Sequence, residues 1–253
     1  MIPISDENPT LRTPVMTYLL LAMLLAVWVL VQGAGTNPAQ LAATVCDLGM
    51  VPGELTHRVP VGYGIPMGNG MACVIDNLPI NKWTPLTSMF LHGGWMHLLG
   101  NSLYLWVFGN NVEDSLGRVR FLVFYILCGL AAAFTHVALN GMSPVPTVGA
   151  SGAISGVLGG YLVLYPRVRV RTYFPPIFLF HVPAWFVLVF WFGEQLLTGL
   201  PQLQPMRPDI SSGVAVWAHV GGFLAGVALV KLFENDALVR RRSALGEARA
   251  VWE

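Results

Sequence analysis

Charge is scarce in this chain. Of its 253 residues only 11% are Asp, Glu, Lys or Arg, against roughly a quarter in an ordinary soluble domain, and that shortage excludes a conventional water-soluble fold. Cysteine is scarce too, with three in all. The cysteines lack metal-ligand spacing and the histidines are scattered, so neither a metal site nor a cofactor is expected. Internal repeats and low-complexity tracts are lacking as well. The first dozen residues hold Asp6 and Glu7 but a single Arg, which excludes a transit-peptide pattern. A net charge of +1 gives no reason to expect nucleic acid as a partner.

What the chain has in abundance is hydrophobic length. Apolar residues make up 55% of it and fall into runs at 14–33, 95–108, 121–139, 150–165, 177–200 and 213–233. Several approach the ~20 residues a helix needs to cross ~30 Å of hydrocarbon. The pattern predicts an all-α membrane protein with six transmembrane helices over residues 14–233. A short segment, 1–13, precedes that domain, and a charged tail, 234–253, follows it. The apolar core of the first run exceeds that of a secretory signal, so it reads as a retained anchor. Of the 14 Lys and Arg residues, all but Arg58, Lys82 and Arg207 fall where alternate connections and both termini share one side. Because short cytoplasmic loops carry the basic excess, both termini are expected inside. A prokaryotic plasma membrane is the simplest home, with Arg240, Arg241 and Arg242 meeting anionic lipid headgroups.

This topology puts a Gly- and Pro-rich loop of about sixty residues outside, long enough to have a purpose of its own. Its segment 39–55 and Trp83 suit the interface plane, where Trp is favoured. Cys46 and Cys73 both lie in it; an oxidising compartment permits a bridge, the alternative being two unlinked thiols. Cys128, mid-span, reads as a small apolar filler.

Polar groups within spans require explanation, because an unsatisfied one in hydrocarbon is expensive. Here they are few. His97 and Asn101 are four apart and share a helix face. The fourth run opens with Gly149-Ala150-Ser151-Gly152, and the sixth holds Ala218-His219-Val220-Gly221-Gly222. Taken singly, each also fits a plain interhelical or backbone hydrogen bond. Depth sets them apart. A fourth helix from Ser151 to the proline before the basic loop rises ~22 Å, about 8 Å short of the hydrocarbon thickness, and His219 lies about 9 Å along the sixth run. The two residues come out level.

Gly152, Gly156 and Gly160 form a four-residue stripe on the fourth run, as do Gly222 and Gly226 on the sixth, and small-residue stripes let helix backbones approach closely. If the stripes meet, Ser151 and His219 come within hydrogen-bond reach, which activation of a weak alcohol nucleophile requires. Pro144, Pro146 and Gly149 make the preceding segment irregular, so it must line a cavity rather than face lipid. A helix beginning at Ser151 leaves N–H groups unpaired at its positive end. Together with His97 and the Asn101 amide, they would serve a developing oxyanion. The set points to acyl transfer by hydrolysis, with Ser151 as nucleophile and His219 as base.

In these residues the sequence resembles the rhomboid family. The matching motifs are His97-xxx-Asn101, Gly109-xxx-Glu113-Asp114-xx-Gly117, Gly149-Ala150-Ser151-Gly152 and Ala218-His219-xx-Gly222-xxx-Gly226, in family order over most of 83–233. The resemblance implies a six-helix bundle with a long outer first loop and an intramembrane serine endopeptidase. Its catalytic pair would be Ser151 and His219 without an acidic third member, supported at the oxyanion by His97, Asn101 and Ser151 and held by Gly149 and Gly152. It also implies that His92 assists the oxyanion site or holds a water. The implied partners are the lipid bilayer and single-pass transmembrane substrates with a helix-destabilised segment near the outer face. Two positions depart from the pattern: Thr84 follows Trp83 where some bacterial members have Arg, and Ser155 stands where some have a Tyr packed on the catalytic His. His219 must then be oriented otherwise, by packing against Gly221 or by a hydroxyl. Glu113 reads as a structural cap and Glu194 as a boundary residue. The alternative is an inactive rhomboid-like protein that binds transmembrane segments, and retention of both Ser151 and His219 separates the two. A small transporter would need ionisable or broken helices around a midplane site, which these runs lack.

Overall fold

Proline and glycine punctuate the apolar runs, and several of the helices begin or end beside them. The computed structural model describes residues 1–68, 70–176, 178–200 and 215–240. Helix α1 (Val15–Ala26) starts after Pro14, extends through a π-helical turn over Val27–Val31, and stops at Gly33–Gly35. Beyond it lie α2 (Pro38–Leu48), capped by the Asn37 side chain, α3 (Pro52–Leu55) and the short α4 (Thr84–Thr87). Helix α5 (Trp95–Tyr104) follows Gly94 and runs on through a π-helical turn, Leu105–Gly109, into α6 (Asn110–Leu116). Gly117, at φ +87°, turns the chain into α7 (Arg118–Asn140); at that backbone angle a side chain would be strained. Helices α8 (Ser151–Leu164), α9 (Ala184–Gly199) and α10 (Val216–Phe233) complete the bundle.

Among the described residues α7 and α10 are long and apolar enough to cross a membrane, and Val15–Val31, α8 and α9 are shorter apolar helices. Their buried faces share one core, including Leu20, Leu24, Phe108, Phe124, Tyr125, Val157, Tyr161, Leu188 and Phe223. Helix α10 packs most extensively against α8 and α7. A Cβ added at Gly222 would collide with the Gly152 carbonyl oxygen, and one at Gly226 with that of Gly156. The two glycine stripes therefore interlock, as their spacing suggested. Gly160 meets the side chains of Phe124 on α7 and Val230 on α10, and Gly159 meets the α10 backbone at Phe223.

Glu113 caps a helix, but not its own. Its carboxylate accepts from Met16 N at 3.0 Å, Thr17 N at 2.7 Å and Thr17 Oγ1 at 2.8 Å, satisfying the first turn of α1. Beside it, Asp114 accepts from Leu11 N and pairs with Arg12 at 3.2 Å. The charged motif after α5 thus pins the chain where it enters the bundle.

The all-α expectation needs correction. Strand β1 (Ile2–Asp6) pairs antiparallel with β4 (Arg169–Phe174), which pairs antiparallel with β5 (Phe178–Pro183), giving a sheet of order β1-β4-β5 at the end of the bundle that carries Arg118 and Arg120. At the opposite end β2 (Gly64–Gly68) and β3 (Met71–Val74) form a hairpin. The fifth apolar run therefore starts as a strand and becomes helical only after Pro183. Buried Val170 and Thr172 alternate with exposed Arg169 and Arg171, the period of a strand, and the aromatic and β-branched residues opposite suit a pleated surface. Cys46 of α2 and Cys73 of β3 form a disulfide, and Cys128 is free and buried. Arg207, the first two residues of the run expected from Gly213, Ile177, Arg241, Arg242 and Arg249 lie outside the described residues.

Candidate active site

Gly149 makes the site possible. Its φ of +134° and the proximity of the His97 ring, 2.7 Å from where a Cβ would stand, leave room for no side chain. The segment leading to it is held from both sides. Met50 and Thr147 exchange backbone hydrogen bonds at 2.9 and 2.8 Å, and Gly149 N–H donates to Ser88 O at 2.9 Å. The chain then enters α8 at Ser151 with no side-chain cap, so the N–H groups of the first turn have no intrahelical acceptor.

Ser151 Oγ lies 2.7 Å from His219 Nε2. Gly152 permits the approach: a Cβ there would press on Ala132 of α7, at 2.7 Å, and reach the backbone of Ala218. The other ring nitrogen, His219 Nδ1, lies 2.8 Å from Gln195 Oε1 on α9, and Trp191, one turn earlier, sets its ring 5.9 Å from the imidazole, tilted by 38°. Packing against Gly221, one of the orienting contacts read from the sequence, does not occur, and Ser155 does not reach the ring. Gly221 is pressed against Thr135, and the Ser155 hydroxyl turns back to donate to Ser151 O at 2.6 Å. Gln195 and Trp191 escaped the sequence reading, although their spacing of four puts them on one face of α9.

A cavity of about 330 Å³ opens over this pair, bordered by His97, Gly100, Asn101 and Tyr104 of α5, by Thr147, Val148, Gly149 and Ser151, and by Trp191 and His219. Asn101 is buried and its amide nitrogen has no hydrogen-bond partner among the described residues. His97 Nδ1 accepts from Gly93 N–H at 3.4 Å, which leaves the ring proton on Nε2, 2.8 Å from where a Gly149 Cβ would stand. Both side chains line the cavity beside Ser151. His92 does not. It is fully buried behind α5, its ring set edge-on to that of His97 at 5.2 Å. Gln32 holds its backbone, accepting from His92 N–H at 2.8 Å and donating to His92 O at 2.7 Å. Glu194 is exposed on α9, in keeping with a boundary residue.

A hydroxyl in contact with an imidazole, beside a helix N-terminus and two further donors, is the equipment of acyl transfer. Comparison with known proteins agrees in kind. A family model for the rhomboid domain matches residues 80–235, and the chain belongs to the rhomboid family, whose members are helical, multi-pass membrane proteins. It is similar to Rhomboid protease GluP of Bacillus subtilis (strain 168), 31% identical over 147 residues that make up 58% of this chain and 26% of that protein. Rhomboid protein 1, mitochondrial, of Saccharomyces cerevisiae is 32% identical over 182 residues, 68% of this chain and 47% of the yeast protein. RHOMBOID-like protein 5 of Arabidopsis thaliana is 32% identical over 81 residues, 32% of this chain and 26% of the plant protein. The chain spans less than half the length of each of these relatives.

Proposed function

We propose that the protein is an intramembrane serine endopeptidase that cleaves peptide bonds in or near transmembrane segments of single-pass membrane proteins. One observation carries this reading: Ser151 Oγ and His219 Nε2 in hydrogen-bond contact at 2.7 Å, at the floor of a cavity between helices. Ser151 Oγ attacks the scissile carbonyl while His219 takes its proton. The resulting oxyanion meets Asn101 Nδ2, His97 Nε2 and the Ser151 N–H, donors better matched to the tetrahedral intermediate than to the neutral carbonyl. His219 then returns the proton to the departing amine, and water, deprotonated by the same imidazole, releases the acyl group from Ser151. Gly149 and Gly152 support the site by allowing His97 and α10 their close approach.

The proposed domain is 14–233, with six spans formed by Val15–Val31, α5 with its π-helical turn, α7, α8, α9 and α10. Residues 1–13 and 234–253 are then cytoplasmic, and α2 to α4 with the β2–β3 hairpin form an outer loop. The division of basic residues supports this orientation, and the disulfide suits an oxidising outer compartment. A prokaryotic plasma membrane is the proposed location. Ser151→Ala and His219→Ala should each abolish cleavage of a model transmembrane substrate in proteoliposomes while the protein stays folded. Undiminished cleavage by either variant would remove that residue from the mechanism. A wild-type protein that binds such segments without cutting them would favour the non-proteolytic reading.

A further inference from the structure

We propose that Gln195 is a positioning residue for the catalytic base, fixing the tautomer and plane of the His219 ring through its amide oxygen. The inference rests on the Ser151–His219 reading above and adds a third, uncharged member to it.

A neutral imidazole carries one N–H and one lone pair, and which nitrogen holds which decides whether the ring is a base or a donor toward its neighbour. His219 has a partner at each: Gln195 Oε1 at 2.8 Å from Nδ1 and Ser151 Oγ at 2.7 Å from Nε2. An amide oxygen only accepts, so it requires the proton on Nδ1. Nε2 is then left with the lone pair, facing the serine hydroxyl. The opposite tautomer would set two lone pairs against each other at Nδ1 and turn Nε2–H toward Ser151, where it could take no proton. As the imidazolium forms, the same amide dipole stays aligned with Nδ1–H and strengthens.

The rest of α9 supports the assignment. Trp191 covers one face of the imidazole from the turn before Gln195, so a single helix supplies both the edge contact and the face contact. The position that would otherwise pack on the ring is Ser155, engaged with Ser151 O. Glu194, next in sequence, is exposed and its electrostatic neighbour is Tyr104 rather than His219. An amide also suits the setting, since a carboxylate within a span would have to be desolvated. Separation of α9 from α10 would break the contact at Nδ1, so the seating of α9 sets the geometry of the base.

The experiment compares purified wild type, Gln195→Met, Gln195→Glu and Ser151→Ala in one detergent, by turnover of a transmembrane reporter, rate of fluorophosphonate labelling and thermal melting. Met removes the acceptor at similar volume, and Glu keeps an oxygen at the same reach. Loss of the correct tautomer costs about 10⁴ in turnover where the third member is a carboxylate; for a neutral acceptor the expected loss in Gln195→Met is roughly 10–10², with KM changed by less than about threefold and labelling slowed in parallel. Gln195→Glu should recover most of that loss. Equal losses in the Met and Glu variants, or wild-type turnover in Gln195→Met with Ser151→Ala inactive, would overturn the role of Gln195 and leave the serine–histidine pair intact. Cleavage by Ser151→Ala would sink the underlying reading instead. Nitrogen NMR of the wild-type His219 ring gives an answer that needs no variant: protonated Nδ1 with unprotonated Nε2 is expected, and the reverse overturns the proposal.

Discussion

Replacing Gly226 by Ala should disable the proposed activity without touching Ser151 or His219. A Cβ at that position would stand 2.6 Å from the Gly156 carbonyl carbon and nearer still to its oxygen, whereas non-bonded carbon atoms settle about 3.5–4.0 Å apart. The obstacle is backbone, which cannot rotate aside, so α8 and α10 must part locally by on the order of 1 Å. Overpacking of this kind costs about 1–3 kcal/mol of stability. His219 lies about 10 Å up the same helix, and its 2.7 Å bond to Ser151 is lost beyond about 3.5 Å. A misplacement of ~1 Å in a catalytic constellation lowers turnover ~10²-fold, and a loss of that order is expected here. The assay is kcat and KM on a transmembrane reporter with a melting curve on the same preparation. Gly193→Ala is the control, because a Cβ there meets nothing within 4 Å and should leave both quantities nearly unchanged. Wild-type turnover and stability in Gly226→Ala would refute the interlock of the two helices as the device that seats Ser151 against His219.

Three further outcomes are expected. Asn101→Ala should lower kcat more than it raises KM, by roughly 10² or less because His97 and the Ser151 N–H donate to the same oxyanion; a destabilised variant with normal turnover per active site would reduce Asn101 to a tie between helices. Reduction of the Cys46–Cys73 bridge, whose partners are 27 residues apart, should cost the segment it closes about 3.5 kcal/mol on the chain-entropy account, read as earlier proteolysis between α2 and β3; an unchanged proteolytic profile would contradict it. Tags at residue 1 and near Gly64 should be protected on opposite sides of sealed vesicles, and protection on the same side would contradict the proposed orientation.

The helical core and the Ser151–His219 contact were legible because each rests on a strong local signal: apolar runs of near-membrane length, glycine stripes at a spacing of four, and polar residues where hydrocarbon tolerates few. Glu113 was legible as a cap, although its target, the first turn of α1, is a tertiary contact that no local pattern specifies. The sheet β1-β4-β5 was not legible. Its strand Phe178–Pro183 continues into an apolar helix without a change in composition, and uniform hydrophobicity does not separate a buried strand from a helix. Pro183 was the available marker of the boundary. His92 matched the family spacing, yet spacing gave no way to tell that it would sit behind His97 rather than beside the cavity. Gln195 was hidden for another reason: a glutamine near a span end reads as a boundary residue, and only the rotation of α9 about its axis aims it at His219.

The central claim is that Ser151 is a nucleophile because His219 activates it. The most direct test is to treat the purified protein with a fluorophosphonate and map the adduct by mass spectrometry, with His219→Ala alongside. Labelling of the wild type at Ser151 and its loss in the folded His219→Ala variant are the predicted results. An adduct at any other residue, or equal labelling of the two proteins at Ser151, would contradict the account.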